Sequence, residues 1–312
     1  MATALLPAPH PERIVPDPPE ERGPPKTTAG REAASEESDS QRGQRLALGK
    51  CCNAQHMLLA TQDNAPLGRI LTYETNLSHT IGVNEHIFQM LPKITPFLRK
   101  PFNTCAVVGN GGILQNSSCG EEIDSMDFVF RLNLPPLNLV EDIGTKSHLV
   151  TANPSILIQK FERLYGRRKS FIKLVKGYGP AMIILPGFSY RSLTALSFRA
   201  LYTVEDFDLE NKVAFFHPEY LRNLSSYWRE KGVKAKRLSS GLMLVSAAIE
   251  LCNKVNLYGF WPFSNDTEGN AISHHYYDDI NPKPGFHSMP DEFYNYMKMH
   301  AMGALHLQVG KC

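Results

Sequence analysis

The chain has 312 residues, of which 42% are hydrophobic and 21% are charged, and its formal net charge is +2. This length allows one sizeable core or two small ones, and the balanced charge does not fit a disordered protein or a dedicated nucleic-acid-binding protein. No stretch reaches the roughly 18 consecutive apolar residues of a membrane-spanning helix. The first residues also lack the basic leader and apolar run of a signal peptide, so a membrane or lumenal location must be argued from other features.

The first 48 residues have the composition of an unfolded tail. Eight prolines fall within the first 25 positions, and the polar stretch GREAASEESDSQRGQR follows. Such a segment buries too little apolar area to offset its ordering entropy. We therefore expect a tail over 1–48, a segment over 49–100 that packs on the main domain, and the main domain over 101–312.

From Phe102 onward, short apolar segments bounded by glycine or proline alternate with helix-length segments. The pattern predicts strands at 105–108, 128–132, 181–185, 213–216 and 255–259. It also predicts a helix over 218–231 and a helix that Ser240 caps. Strands alternating with helices predict an α/β fold with a mostly parallel sheet. In such sheets ligands bind beyond the carboxyl ends of the strands, so the loops there are the candidate sites.

The first candidate loop, Val108-Gly109-Asn110-Gly111-Gly112, directly follows a predicted strand. Glycines allow a phosphate or sugar to approach the backbone, and the Asn110 amide both donates and accepts hydrogen bonds. A tight turn without any ligand explains the same glycines. A dinucleotide-binding fingerprint fits less well, because Leu114 occupies the position of its third glycine.

Two further segments contain groups that suit an anionic ligand. After the next strand, Arg131 either anchors a carboxylate or phosphate or forms a structural salt bridge. Asn133 beside it either binds a ribose or base edge or serves as a turn amide. The third segment, Ser239-Ser240-Gly241, begins an apolar helix, where hydroxyls and free N–H groups suit an anion as well as simple capping.

Two histidine segments near the carboxyl terminus provide candidate acid–base groups. His275 lies in the sequence HHYYDD at 274–279, and His287 follows twelve residues later, with Glu292 near enough in sequence to orient it. One imidazole could take a proton from an attacking hydroxyl while the other stabilises a departing anion. A metal site within 274–279 is the alternative, but adjacent residues in an irregular segment make a poor cage.

The cysteines and glycosylation sequons favour a secretory compartment. The six cysteines form no CxxC pair, which disfavours structural zinc and favours some disulfide pairing. Acceptor sequons for N-glycosylation occur at Asn76, Asn116, Asn223 and Asn265.

Four ordered motifs over roughly residues 50–312 resemble the animal sialyltransferases, specifically their α-2,8-sialyltransferase branch. The large motif is PFNTCAVVGNGGILQNSSCGEEIDSMDFVFRLNLPP continuing to TANPS, and the small motif is RLSSGLMLVSAAIELCNKVNLYGFWPF. The third motif is HYYD from His275 to Asp278, and the very small motif runs from His287 to Glu292. Together the four motifs are specific, whereas none is so alone.

The resemblance implies a single Rossmann-like, disulfide-stabilised catalytic domain that moves sialic acid from CMP-sialic acid to the 8-hydroxyl of a terminal sialic acid. It implies inversion and no metal or other cofactor, with His287 as general base and His275 stabilising the departing phosphate. The residues implied to bind the donor are Asn110, Asn133, Ser239, Ser240, Gly241 and Trp261. The implied disulfides are Cys105–Cys252 and Cys119–Cys312, while Cys51 and Cys52 are left free, vicinally paired or intermolecular.

The resemblance also sets expectations for location and partners. Family members are anchored in the Golgi membrane, so we expect a lumenal, membrane-associated enzyme, or a secreted form or variant since no anchor is visible. The expected partners are CMP-sialic acid, a sialylated glycoprotein O-glycan or ganglioside, and a second copy in a homodimer, but no nucleic acid.

Charge and spacing favour addition of one or a few sialic acids rather than a long polymer. Residues 205–236 contain six basic and six acidic side chains, which gives little hold on a polyanion. The short gap between His275 and His287 resembles the ganglioside- and O-glycan-acting members, and residues 186–206 are the candidate acceptor loop. The competing hypothesis is a catalytically silent relative that binds CMP or sialoglycans.

Overall fold

The computed structural model describes residues 39–98, 101–280 and 285–312. Within them the strands are β1 (Ile70–Thr72), β2 (Thr80–Gly82), β3 (Phe102–Val108), β4 (Phe128–Arg131), β5 (Leu149–Thr151), β6 (Met182–Leu185), β7 (Val213–Phe215), β8 (Cys252–Tyr258) and β9 (His306–Gln308). Strands β3 to β9 form a parallel sheet in the order β7-β6-β5-β4-β3-β8-β9, and β1 and β2 pair as an antiparallel hairpin. The predicted α/β fold with a mostly parallel sheet is confirmed.

The strand order reverses beside β3. From β3 the chain builds outward to β7 and then returns to place β8 on the other side of β3. Loops that leave neighbouring strands at such a reversal diverge and open a crevice at the carboxyl edge. The loops after β3 and β8 therefore border the place where a ligand is expected.

Alternate residues of β3 point to opposite faces of the sheet and pack into different core clusters. Both faces of the sheet are therefore covered by helices. The helices are α1 (Asp39–Cys51), α2 (Ala54–Met57), α3 (Glu85–Met90), α4 (Gly120–Ser125), α5 (Val140–Ile143), α6 (Pro154–Gln159), α7 (Arg168–Lys176), α8 (Thr194–Asp206), α9 (Pro218–Glu230), α10 (Ser240–Leu251) and α11 (Met289–Ala301). Among the helices of the described residues, none has the length and apolar character needed to cross a membrane.

The five predicted strands are present as β3, β4, β6, β7 and β8, with ends shifted by up to three residues. Strands β5 (LVT) and β9 (HLQ) were missed because each short strand contains a polar residue, whereas the equally short β7 (VAF) is wholly apolar. The predicted cap of α10 is wrong by one residue. Ser239 is extended, and its hydroxyl accepts from the Leu242 N–H at 3.0 Å, whereas Ser240 already lies in the first turn.

Helix α1 begins at Asp39, inside the predicted tail. Leu48 is fully buried, and Arg45 Nε donates to the carbonyl of Ile249 in α10 at 3.1 Å. The predicted boundary at residue 48 is therefore wrong, because one buried leucine and specific hydrogen bonds anchor a helix whose average composition is polar. Residues 1–38 of that prediction lie outside the described part of the chain.

The hairpin of β1 and β2 is fastened to the domain from two sides. The Ala60 N–H donates to the carbonyl of Phe215 in β7 at 2.8 Å, just before the hairpin. Arg222 in α9 donates to the carbonyl of Thr72 at 2.6 Å. The segment before the sheet thus reaches its carboxyl edge.

Disulfides connect distant parts of the chain. Cys105 in β3 bonds Cys252 at the start of β8 across a Cα–Cα distance of 6.1 Å. Cys119 bonds Cys312, with Cα atoms 4.9 Å apart. Both pairings implied by the resemblance are confirmed. The cysteines that were left open, Cys51 and Cys52, are paired with each other.

Candidate active site

Glycines after β3 let two loops approach backbone to backbone. A Cβ on Gly109 or Gly111 would lie 2.6 or 2.7 Å from the carbonyl oxygen of Gly259, which follows β8. A Cβ on Gly112 would lie 2.0 Å from the carbonyl oxygen of Ser273. These distances are shorter than any side chain tolerates, so the glycines are required by loop packing. The packing explanation accounts for them without a ligand.

The Asn110 side chain, in the loop after β3, has one unused polar group. Its Nδ2 donates to the backbone carbonyl of Leu132 at 2.9 Å. The backbone carbonyl of Asn110 accepts from the Tyr276 N–H at 2.9 Å. Its Oδ1 is buried and has no hydrogen-bond partner among the described residues. A buried amide oxygen without a donor costs free energy, and a ligand group that donated to it would offset this cost.

Asn133, which follows β4, is linked to the start of α10 through Asn153, a residue that was not among the predicted site residues. Its Oδ1 accepts from the Asn153 N–H at 3.1 Å, and its left-handed φ of 59° turns the chain after β4. The Asn153 Nδ2 lies 3.4 Å from the Ser240 hydroxyl. Asn153 belongs to TANPS at the end of the large motif, which was the available signal.

The amino terminus of α10 presents backbone N–H groups. Ser239 is occupied as the cap: its N–H donates to Glu292 Oε1 at 2.8 Å, and its hydroxyl donates to Glu292 Oε2. The N–H groups of Ser240 and Gly241 have no acceptor within the described residues. A Cβ on Gly241 would lie 3.0 Å from the Phe260 ring, so this turn is tightly packed. Free N–H groups at a helix start suit an anion.

Glu292 is a buried carboxyl that supports this turn. It is fully buried, and burial raises its pKa to about 7, although its hydrogen bonds from Ser239 act in the opposite direction. Its Oε2 also lies 3.5 Å from the Tyr296 hydroxyl. The prediction that Glu292 orients His287 is wrong for direct contact, since no hydrogen bond joins the two within the described residues.

His287 is fixed in one tautomer. Its Nδ1 lies 2.8 Å from the carbonyl oxygen of Arg237. Because a carbonyl only accepts, Nδ1 carries the hydrogen and Nε2 is left to take a proton. Burial lowers the pKa of His287, a direction reinforced by the Arg237 charge and opposed by the hydrogen bond to the Arg237 carbonyl. The lowered pKa favours the neutral imidazole, in which Nε2 can accept a proton.

His275 is positioned against the glycine loop. Its Nδ1 donates to Asp278 Oδ1 at 2.7 Å, and its ring stacks on Tyr277 at 5.1 Å. An antiparallel bridge pairs it with Gly111. The alternative metal site finds no support, because among the described residues no three His, Cys, Asp or Glu side chains converge on one point.

Trp261 lies in the loop after β8, two residues beyond Gly259. Its Nε1 donates to the carbonyl of Asn265 at 2.7 Å, and its ring meets those of Phe263 and Phe293 nearly at right angles. A Cβ on Gly111 would lie 3.2 Å from the Trp261 carbonyl oxygen. The Trp261 backbone therefore borders the loop after β3, while its ring packs against Phe263 and Phe293.

Arg131 is structural. It is fully buried, and its guanidinium donates to the carbonyls of Lys146 at 3.0 Å and Ile143 at 2.9 Å. Burial lowers its pKa, with Asp124 acting in the opposite direction. Of the alternatives open from sequence, an anion anchor is excluded by this burial.

The predicted acceptor loop over 186–206 is wrong for most of its length. Residues Thr194–Asp206 form α8, with Leu196, Ala200 and Val204 buried at helical spacing. The polar residues between them concealed this periodicity. Residues Arg191–Leu193 form a 3₁₀ helix, so only 186–190 remain as a loop at the carboxyl end of β6, and its role in acceptor recognition stays a prediction.

A cavity of about 950 Å³ lies at the opposite edge of the sheet. The first residues of β3, β6 and β7 line it, together with Glu250. None of the predicted site residues lines this cavity, so volume alone does not identify the active site. The four sequon asparagines Asn76, Asn116, Asn223 and Asn265 are exposed, and their glycosylation stays a prediction.

The sequence profile of glycosyltransferase family 29 (sialyltransferase) matches residues 59–304, which include every element of the crevice. The chain is a sialyltransferase of glycosyltransferase family 29. The resemblance drawn from its motifs is thereby confirmed.

Similar sialyltransferases carry more specific names. The chain is 48% identical over 270 residues to alpha-2,8-sialyltransferase 8F of Mus musculus, covering 86% of the chain and 68% of the relative. It is 48% identical over 267 residues to alpha-2,8-sialyltransferase 8E of Homo sapiens, covering 85% and 71%. It is 45% identical over 270 residues to alpha-N-acetylneuraminide alpha-2,8-sialyltransferase of Bos taurus, covering 86% and 76%.

Solved structures support the fold. The crystal structure of a mammalian sialyltransferase matches with a TM-score of 0.57 at 24% identity, covering 85% of this chain and 94% of that one. A second, a mammalian sialyltransferase in complex with Gal-beta-1-3GalNAc-ortho-nitrophenol, matches with a TM-score of 0.53 at 21% identity, covering 88% of each chain.

Proposed function

We propose that this sialyltransferase transfers sialic acid from CMP-sialic acid to the 8-hydroxyl of a terminal sialic acid. The observation that supports the chemistry best is His287, whose Nδ1 is tied to the carbonyl of Arg237 so that Nε2 is left to take a proton. Arg237 lies two residues before the cap of α10, so the base and the anion-binding helix start are joined by one short segment. The names of the relatives support the α-2,8 linkage.

The reaction needs one proton transfer at the acceptor. The acceptor oxygen attacks C2 of the donor sialic acid, and its proton goes to His287 Nε2. The bond from C2 to the phosphate oxygen breaks, and its electron pair leaves with CMP. Attack on the face opposite the leaving group inverts the configuration. A positioned base contributes about 10²- to 10⁴-fold to such a step.

The leaving group is stabilised without a metal ion in this proposal. The N–H groups of Ser240 and Gly241, at the positive end of α10, and the imidazolium form of His275, whose Nδ1–H is held by Asp278 and whose Nε2–H donates, are the groups available for the phosphate. Asn110 Oδ1, Asn133 and Trp261 are the contacts proposed for the rest of CMP.

The proposed acceptors are sialylated O-glycans of glycoproteins or gangliosides, extended by one or a few residues in the Golgi lumen. Balanced charge over 205–236 supports short products, since no excess of cations would hold a polyanion.

The proposed function is tested with the full chain, CMP-sialic acid and EDTA on α-2,3-sialylated glycoproteins and glycolipids, with the same acceptors desialylated as matched controls. The expected result is a product only on sialylated acceptors, removed by a sialidase that cleaves the α-2,8 linkage. Product on desialylated acceptors would contradict the linkage. Binding of CMP with no product on any acceptor would favour the catalytically silent relative.

A further inference from the structure

Glu74 and Arg237 form a buried ion pair next to the segment that holds His287. Glu74 follows β1, and its side chain is 4% exposed, while that of Arg237 is 9% exposed. The Arg237 Nε lies 2.9 Å from Glu74 Oε1, and its Nη2 lies 3.0 Å from Glu74 Oε2. Two parallel bonds of this kind fix orientation as well as distance.

The carboxylate of Glu74 is itself fixed in position. The Glu74 N–H donates to the carbonyl of Phe188 at 3.1 Å, and the Thr75 N–H donates to that of Ser189 at 3.2 Å. The Ser189 hydroxyl donates to Glu74 Oε2, and Arg237 Nη2 lies 3.1 Å from the same hydroxyl. The hairpin, the loop after β6 and the guanidinium therefore form one cluster.

The backbone of the same arginine supports the base. The Arg237 N–H donates to the carbonyl of Phe286 at 3.4 Å, and its carbonyl accepts from His287 Nδ1 at 2.8 Å. Arg237 thus contacts the hairpin with its side chain and the His287 segment with its backbone. Buried ion pairs add little net stability once desolvation is counted, so stability alone does not explain this arrangement.

We propose that Glu74 is a positioning residue for the transfer reaction. By fixing the Arg237 side chain, it fixes the carbonyl that holds His287 in the tautomer with a free Nε2. It also balances the arginine charge beside the imidazole. The inference rests on the proposed role of His287 as base, and it makes the hairpin before the sheet part of the catalytic machinery.

The test replaces Glu74 by Gln, which keeps the shape and removes the charge. We expect kcat to fall about 10- to 100-fold, as for a catalytic group displaced by about an ångström, with the KM for CMP-sialic acid little changed. The acid limb of the kcat profile should move to lower pH, because the uncompensated arginine charge and the weakened carbonyl contact both disfavour the imidazolium. A merely structural role would lower the active fraction without moving that limb.

The matched control is Glu162→Gln, which removes an ion pair with Arg167 whose side chains are 54% and 59% exposed. It should leave kcat and the pH profile unchanged. If Glu74→Gln does not fold, Arg237→Lys keeps the charge, loses the two parallel bonds and should show the same fall in kcat. Parent-like kcat and pH profile in a folded Glu74→Gln or Arg237→Lys variant would overturn the inference.

The link to the base is read directly by ¹⁵N NMR of histidine-labelled protein, with the His287 signals assigned by their loss in His287→Ala. The parent should show protonated Nδ1, and Glu74→Gln should show a mixture of tautomers. An unchanged tautomer would overturn the inference even if kcat fell. If His287→Ala itself keeps its turnover, the proposed base is wrong, whatever the Glu74 variants show.

Discussion

Glu292 accepts two hydrogen bonds from Ser239, a residue 53 positions earlier in the chain. The contact joins α11, whose amino end follows His287, to the cap of α10. The motif from His287 to Glu292 therefore fixes the first turn of α10, which belongs to the small motif, and Glu292 does so from a fully buried position.

Replacing Glu292 by Ala should weaken both folding and donor binding. The Ser239 N–H would lose its acceptor inside the protein, which costs about 1–3 kcal/mol of unfolding free energy. We expect CMP affinity to fall as well, because the first turn of α10 loses its support. Denaturant unfolding and calorimetry measure the two effects. Glu292→Gln, whose amide oxygen still accepts from Ser239, is the control; a Glu292→Ala variant as stable as the parent would contradict the account.

Gly111→Ala should separate the loops after β3 and β8. The new methyl group would lie 2.7 Å from the Gly259 carbonyl oxygen, which is backbone and cannot turn aside. We expect a loss of stability of about 1–3 kcal/mol from overpacking, together with weaker CMP binding. Gly43→Ala is the control, because its methyl group meets nothing within 4 Å in helix α1, and there stability should stay equal or rise. Equal effects of the two substitutions would contradict the packing role.

The disulfides should differ in their contribution to stability. Cys105–Cys252 spans 147 residues, so replacing Cys252 should cost about 2–5 kcal/mol. The Cys51–Cys52 pair closes almost no loop, so replacing both cysteines by serine should cost about 1 kcal/mol or less. Thermal unfolding of the two variants measures the difference. A larger loss from the vicinal pair would contradict this explanation.

Glu250 should make stability depend on pH. Burial raises its pKa to about 7, while its Oε2 accepts from the Ala54 N–H at 2.7 Å. A carboxyl with a raised pKa stabilises the fold below its unfolded pKa, and this stability is lost as pH rises toward 7. Glu250→Gln, which keeps the acceptor for Ala54, should therefore be more stable than the parent at pH 8 by up to about 3 kcal/mol and nearly equal at pH 4.5. Denaturant unfolding at the two pH values measures this, and an equal difference at both would exclude the carboxyl as the cause.

Strands and helices that depend mainly on their own local sequence could be predicted from it. The second half of β3, residues 105–108, is apolar and buried, and α9 begins with Pro218 and ends shortly before Gly232, so both were predictable. The resemblance added the pairing of Cys105 with Cys252, which spacing alone could not assign.

Contacts between distant residues could not be predicted. The Glu74–Arg237 pair spans 163 residues, and the reason for the glycines after β3 lies in Gly259. Helix α1 was missed because its stability comes from contacts with α10 rather than from its own composition. The support that Glu292 gives to the cap of α10 could be recognised only from the position of Ser239 in space.

The most direct test of the account measures kcat and CMP affinity of His287→Ala and His287→Gln in the full chain. If His287 is the general base, both variants should lose about 10²- to 10⁴-fold in kcat, while CMP binding and the melting temperature stay close to those of the parent. A turnover near that of the parent in either variant would contradict the account, because neither alanine nor glutamine can take the proton of the acceptor hydroxyl.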